Sequence, residues 1–337
     1  MSDPQAELRA LIAGYWKPHA ICAAARLGLA DAMGSAAADP SSLAQQINAD
    51  PGALTRFMRA LTSFGMLDDN GDGTFSLTEL GQRLRTDHPE SLRGMALHVG
   101  TQLSPSFAKL GECVTEGRPP ESVVYGKQGF ADLNDDPAAA AVFNQAMVDS
   151  SRRFAAEAVA AYDVTGFSSF ADLGGGHGRV LVEFLQAAPE AAGFVLDLPH
   201  AAQGAAKLFD EQGVTDRAEF IEGSFFEPIE QPADCYVLKY ILHDWDDDHA
   251  ADIARRVGEA ARKFGSTVLL IERILPDRVE NRPDHAIAMY GDMTMMLWNG
   301  AERTERQFRE LLALGGLAIT RTVPLSDNHY VIEAKPA

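Results

Sequence analysis

An α/β protein with a parallel sheet, preceded by a small helical module, is the fold class that this sequence predicts, on three observations. From Ser169 onward apolar runs alternate with helical stretches. The first of those runs ends in the glycine-rich segment Asp172–Gly178, DLGGGHG. The first 100 residues read helix, helix, hairpin. Strands that alternate with helices imply right-handed crossovers and a parallel sheet, with ligands at the C-terminal ends of the strands.

The elements follow in chain order. Leu8 to Met33 is alanine-rich with helical period, and 41–47 and 51–64 predict two short helices, the second with a proline start. Met66-Leu67, a turn at 68–73 (DDNGDG) and 74–77 predict a hairpin. That order is the winged-helix pattern, familiar from DNA-binding proteins. Here residues 1–100 hold 8 Lys and Arg against 11 Asp and Glu, and the would-be recognition helix offers only Arg56 and Arg59. Phosphate binding rests on clustered basic residues, so the module is expected to serve as a subunit interface instead. Residues 101–160 read as connecting helices, irregular over 119–129 and helical over 136–161 with Pro137 in the first turn. Strands are expected near 169–173, 193–196, 218–222, 233–238 and 267–271. The domains are then 1–100, 101–160 and 161–337.

The glycine segment carries the first chemical information. A strand that turns sharply into a helix beneath a ligand needs residues without Cβ, so that the chain bends and the ligand approaches the backbone. The helix starting near Gly178 then aims free N–H groups at that ligand. In the dinucleotide fingerprint the third glycine falls three residues after the second, where this chain has Arg179. Its glycines are Gly174, Gly176 and Gly178 behind Asp172, an acid-x-G-x-G-x-G arrangement, which moves nicotinamide and flavin cofactors to second place. Asp197 ends the next apolar run roughly 20 residues on, the spacing at which a carboxylate reaches ribose hydroxyls. It stands equally where it would cap a helix beginning near Pro199.

Composition sets outer limits. The chain has 337 residues, 46% hydrophobic and 23% charged, with a net charge of −19, which suits two domains with substantial cores and disfavours nucleic acid as partner. Cys22, Cys113 and Cys235 lie far apart, so neither a disulfide framework nor a zinc site is indicated, and a reducing, cytoplasmic compartment is expected. No basic-apolar leader and no apolar run of about 18 residues stands out.

The fourth expected strand runs into LKYILHDWDDDHA, which places His243 and Asp244 at a strand end. That stretch, with DLGGGHG, IERILPD (271–277) and GAERTERQFRELLALGG (300–316), resembles the small-molecule O-methyltransferases of the caffeate and hydroxyneurosporene type. The resemblance spans nearly the whole chain, winged-helix module and connecting helices included. It implies a Rossmann-like S-adenosylmethionine methyltransferase domain with an N-terminal winged-helix dimerisation domain, a homodimer, no metal, and S-adenosylhomocysteine as product. Residue by residue it implies His243 as catalytic base, held by Glu272 and Glu302. For the cofactor it implies Asp172, Gly174, Gly176, Gly178, Asp197 and Lys239, with Ser224 and Phe225 where the family has Gly-Asp-aromatic. Ser224 brings no charge there, so a weaker cofactor grip is expected.

Each of these positions has a plainer reading. Asp246 to Asp248 suit the first turn of a helix better than a metal site. Glu302 suits the start of a helix over 304–314. His177 and His249 read as structural or solvent-facing, and Trp245 either covers an adenine or packs. Met289, Met293 and Met296 recur at helical spacing as an adaptable apolar wall or as core. Asp292 and Asn299 are candidate acceptor contacts, and by family analogy Phe143, Met147 and Phe154 close the site.

The expected reaction is methylation of an aromatic hydroxyl. A phenol of pKa about 10 facing an ordinary histidine of about 6.5 leaves proton transfer uphill by roughly 5 kcal/mol, a gap that two neighbouring glutamates narrow. Two other readings stand beside it. One is a relative that binds the cofactor yet decarboxylates, hydroxylates or rearranges its substrate; the other is a cofactor-sensing regulator built on the winged helix.

Overall fold

The computed structural model describes residues 3–119 and 136–337; most of the expected irregular stretch, 120–129, lies outside the described residues. The chain divides into two units, residues 1–105 with 138–149 and residues 106–137 with 150–337.

In the first unit the single helix expected over Leu8 to Met33 is three helices, Pro4–Ala13, Trp16–Arg26 and Leu29–Met33. Gly28, in left-handed backbone, separates the last two. Helices Pro40–Gln46 and Pro51–Thr62 start as the sequence suggests. The carboxylates of Asp39 and Asp50 accept from the backbone N–H of Ser42 (2.9 Å) and Ala53 (2.7 Å), each followed by a proline whose missing N–H costs nothing there. The hairpin pairs β1 (Leu67–Asp69) with β2 (Phe75–Leu77), antiparallel, with Leu67 opposite Leu77. Leu43, Leu54, Met58, Leu61 and Phe75 form the core of this unit. The helix Pro4–Ala13 buries none of its residues and leaves Leu8, Leu11 and Ile12 exposed.

The second unit is built on a mixed sheet of eight strands among the described residues. In chain order they are β3 (Ser169–Leu173), β4 (Ala192–Asp197), β5 (Ala218–Glu222), β6 (Cys235–Lys239), β7 (Thr267–Leu275), β8 (Arg303–Thr304), β9 (Leu317–Pro324) and β10 (His329–Pro336). Their spatial order is β5-β4-β3-β6-β7-β10-β9, with β8 paired to the end of β7. Strands β3 to β7 are parallel, and β10 runs antiparallel to both neighbours. All five expected strands are present at their expected places.

Burial on both faces explains why these strands read as continuous apolar runs rather than as alternating ones. Ala171, Leu173, Tyr236, Leu238, Val268 and Leu270 belong to one core, which includes residues of the helices Asp247–Phe264 and Glu305–Leu314. Phe170, Cys235, Val237, Leu269 and Ile271 belong to the other, with residues of the helices Arg179–Ala187, Ala202–Glu211 and Pro137–Ala161. The parallel arrangement brings the C-terminal ends of β3, β4, β6 and β7 to one edge.

Candidate active site

Two clusters form along that edge. The first is made largely of backbone. Past Leu173 the chain turns through Gly174, Gly176 and Gly178 at φ of 70°, 58° and 81°, and the helix Arg179–Ala187 begins at Gly178. A Cβ on Gly176 would meet nothing within 4 Å, so this left-handed peptide faces open space. Asp197, at the end of β4, accepts from the Gly176 N–H (2.6 Å) and from the Leu198 N–H (2.6 Å). It therefore fastens the strand end to the glycine loop, and the one-turn helix at Pro199 has no side-chain cap. Asp172 is 1% exposed. One of its oxygens accepts from Leu181 N–H (3.2 Å), the other is buried with no partner among the described residues, and burial raises its pKa to about 7.

Aromatic rings complete the cluster. Phe225 lies against Gly174, and Phe226 meets Trp245 edge-on at 4.7 Å. Ser224 accepts from the Phe226 N–H at 3.2 Å and so serves the turn. Lys239 is buried, donates to Ser151 Oγ (2.9 Å) and sits 3.6 Å from the centre of the Tyr240 ring. Burial lowers its pKa to about 7. An unpaired buried acid, a carboxylate at the next strand end, bare backbone facing space and a group of rings together fit a ligand with an ammonium, a ribose and a flat base.

The second cluster is made of side chains. His243 sits in a short turn, Leu242–Asp244, just past β6. Its Nδ1 is 3.2 Å from Glu302 Oε1 and 3.8 Å from Glu272 Oε2, and its Nε2 is 3.3 Å from Asp244 Oδ1. Glu272, on β7, accepts from the N–H groups of Ile241 and Leu242, both at 3.0 Å, and so holds the turn as well as facing the imidazole. Glu302 takes a further bond from Arg273 Nη1 (2.9 Å), and its own N–H donates to Asp292 (3.1 Å). Gly291 makes room for that arginine, because a Cβ there would overlap the guanidinium. Arg303 donates to the carbonyls of Leu242 (2.6 Å) and Trp245 (3.0 Å) and clasps the turn from behind.

Electrostatics follow from this packing. Burial works against the charged imidazole, but the carboxylates of Glu302, Asp244 and Glu272 outweigh it and raise the His243 pKa to about 9. Burial raises Glu272 to about 7 and Asp244 to about 6. For Glu302 burial is overcome by His243 and Arg273, which hold it below the usual carboxylate range.

Other sequence expectations find their places. Asp246 caps the helix Asp247–Phe264 by accepting from the His249 N–H (3.0 Å), as the plain reading of the acid run has it. Glu302 does not start a helix: Thr304 caps the helix Glu305–Leu314 in a capping box with Gln307. His177 packs on Gly204 of the helix Ala202–Glu211. Met289 and Met296 are half-buried and Met293 is exposed on the helix Pro283–Met296. One polar atom of each of two candidate acceptor contacts is engaged within the chain: Asp292 Oδ1 accepts from the Glu302 N–H (3.1 Å), and Asn299 Nδ2 donates to Asp246 (3.0 Å). Phe143 and Met147 lie on the part of helix Pro137–Ala161 that belongs to the first unit.

The geometry agrees with similarity to known proteins. Residues 107–318 match the O-methyltransferase domain family and residues 10–87 its dimerisation domain. The chain belongs to the O-methyltransferase family. Among its relatives is the phenazine O-methyltransferase PhzM of Lysobacter antibioticus, 33% identical over 97% of this chain and 94% of that one. The crystal structure of LaPhzM superimposes with a TM-score of 0.93 over the full length of both chains at 32% identity. The O-methyltransferase NcsB1, crystallised with S-adenosylmethionine and 2-hydroxy-5-methyl naphthoic acid, gives a TM-score of 0.77 at 31% identity, over 95% of this chain and 96% of that one. The protein is thus an S-adenosylmethionine-dependent O-methyltransferase with a Rossmann-like catalytic domain and the family's dimerisation domain. Among the described residues no helix is long and apolar enough to cross a membrane.

Sequence reasoning missed several residues of the His243 pocket: Arg273, Arg303, Tyr240 and His329. A signal for the arginines was present, since Glu272-Arg273 and Glu302-Arg303 are both Glu-Arg pairs. In each pair the acid faces His243 and the arginine fixes the surroundings.

Proposed function

We propose that this enzyme methylates a phenolic or enolic hydroxyl of a small aromatic molecule, with His243 as general base and without a metal, as a cytoplasmic homodimer joined through its first unit. The carrying observation is the His243 imidazole at the strand edge, whose Nδ1 is occupied by Glu302 at 3.2 Å while Nε2, on the other side of the ring, lies 3.3 Å from Asp244. Asp172, the three loop glycines, Asp197, Ser224, Phe225 and Lys239 line the cofactor's side of the edge. Bound S-adenosylmethionine supplies a methyl carbon already activated by its sulfonium and leaves as S-adenosylhomocysteine.

The chain's own work is to bind, align and move one proton. Nδ1–H donates to Glu302, which fixes the tautomer with Nε2 as acceptor. Nε2 then takes the hydroxyl proton of the acceptor, and Asp244 at 3.3 Å steadies the imidazolium until the proton leaves to solvent. With the His243 pKa at about 9, the gap to a phenol of pKa about 10 shrinks to about one unit, roughly 1.4 kcal/mol. An aliphatic alcohol lies several units beyond this base and a carboxylic acid needs none, so the pocket suits a phenol or enol. Met289, Met293 and Met296, with Phe154 from the long helix, are the proposed apolar wall, and Asp292 and Asn299 act through the bonds that shape it.

His243, Glu272 and Glu302 also bring one ligand atom each to within 4.8 Å of one another, close enough for a cation. Arg273 already supplies positive charge to Glu302 Oε1, the same oxygen that faces the imidazole. That favours the metal-free reading. Incubation with S-adenosylmethionine and a panel of phenols, read by mass spectrometry, tests the proposal. A product heavier by one methyl, formed with S-adenosylhomocysteine, is expected; turnover of aromatic substrates without methylation would overturn it.

A further inference from the structure

One aromatic side chain beside the base has no part in the chemistry above. Tyr240 follows β6 directly, with φ at +57°. Left-handed backbone costs a residue with a bulky side chain about 1–2 kcal/mol, and here it occurs three residues before His243. The turn lets the Tyr240 N–H donate to Ile271 O on β7 at 3.2 Å. It also lays the phenol ring on the His243 imidazole, with ring centres 4.8 Å apart and planes 20° from parallel.

The far end of that ring is tethered. The Tyr240 hydroxyl bonds Nε2 of His329, with Ser150 as a second partner. His329 opens β10 opposite Arg273, is 1% exposed, and stacks on Phe154 with ring centres 3.8 Å apart. Its Nδ1–H donates to Ser326 O at 3.1 Å, which leaves Nε2 as an acceptor. Burial first, and Arg273 second, push the His329 pKa down to about 3, and burial pushes the Tyr240 phenol up. Hydroxyl and ring nitrogen therefore keep one donor–acceptor direction at working pH.

Glu302 at Nδ1 and Asp244 at Nε2 hold two points on the edge of the imidazole and leave its plane free to swing about the line that joins them. A second surface against its face removes the swing. We propose that Tyr240, tethered to His329, is a positioning residue that fixes the plane of the His243 ring and so the aim of Nε2. The inference rests on His243 being the base. The charged groups facing that ring are Glu302, Glu272 and Asp244, with Arg273 and Lys239 behind them. The Tyr240 substitutions below remove none of these charges, and Tyr240→Phe also keeps the ring on which Lys239 rests.

The test compares Tyr240→Phe, Tyr240→Leu, His329→Leu and His329→Gln in the full-length enzyme. Cofactor affinity and melting temperature report that each variant is folded. Tyr240→Leu is expected to lower kcat roughly 10-fold or more, as misalignment does, with KM for the acceptor within about 2-fold. Tyr240→Phe and His329→Leu cut the same tether, so the double variant loses no more than the worse single one. His329→Gln keeps an acceptor and a donor and restores most of the rate. Titration of the His243 ring by carbon-13 NMR shifts in Tyr240→Leu and stays near the parent's in His329→Gln. Unchanged kcat and unchanged titration in Tyr240→Leu, or additive losses in the double variant, overturn the proposal. If His243→Gln itself retains turnover, the base reading fails instead, and the two failures are thereby told apart.

Discussion

The glycine loop after β3 and the His243 pocket after β6 lie at the same edge of one sheet and are built in opposite ways. The loop works by missing side chains: Gly176 presents a left-handed peptide to open space, and Asp197 is bonded to that peptide. The pocket works by crowding them, with three carboxylates around one imidazole and Arg273 and Arg303 holding the frame. The difference teaches where tolerance lies. Adding atoms should ruin the first region, whereas removing charge or shifting a partner should retune the second.

The largest effect follows from filling the loop. Gly174 sits at φ +70°, and a Cβ there would press on Ile241 and Phe225. Gly174→Val combines overpacking with left-handed strain, together about 3 kcal/mol, and should weaken cofactor binding about 100-fold by calorimetry. Glu302→Gln comes next. It removes the carboxylate that does most to raise the histidine, so the acid limb of the pH profile should move down toward the ordinary histidine range and kcat should fall about 10-fold. Gly291→Ala should push Arg273 off Glu302 and lower kcat roughly 5-fold, about 1 kcal/mol, with cofactor affinity unmoved. The smallest effect tests the cation reading: prolonged treatment with a chelator should leave turnover unchanged, and loss restored by a divalent metal would assign the His243, Glu272 and Glu302 triad to a metal.

The same contrast explains what was legible in the sequence. Glycine spacing is a local signal, and strand, loop, helix and Asp197 all lie within residues 169–197, so the loop and its carboxylate could be read from that stretch. Burial on both faces made β3 to β7 visible as apolar runs. The His243 pocket joins residues from 240 to 329, which no local pattern connects, and only the resemblance to the family placed Glu272 and Glu302 beside His243. Strands β9 and β10 were missed although Asp327-Asn328, both left-handed, mark a hairpin turn of the kind that favours Asn and Asp. The long first helix was overdrawn because alanine carries helical propensity through Gly14 and Gly28, where the backbone breaks. Asn299 reads as a ligand contact from composition alone, yet its left-handed backbone and its bond to Asp246 give it a structural task.

A base whose pKa is raised to about 9 must lose its proton before it can act, so kcat/KM should climb about tenfold per pH unit below that value and level off above it. The pH dependence of single-turnover methyl transfer, measured side by side in the parent and in His243→Gln, tests this most directly. The account predicts that unit slope up to about pH 9 in the parent, and in the variant a flat profile about 100-fold lower or more with cofactor affinity kept. A variant that matches the parent at pH 9, or that keeps the same slope, would contradict it.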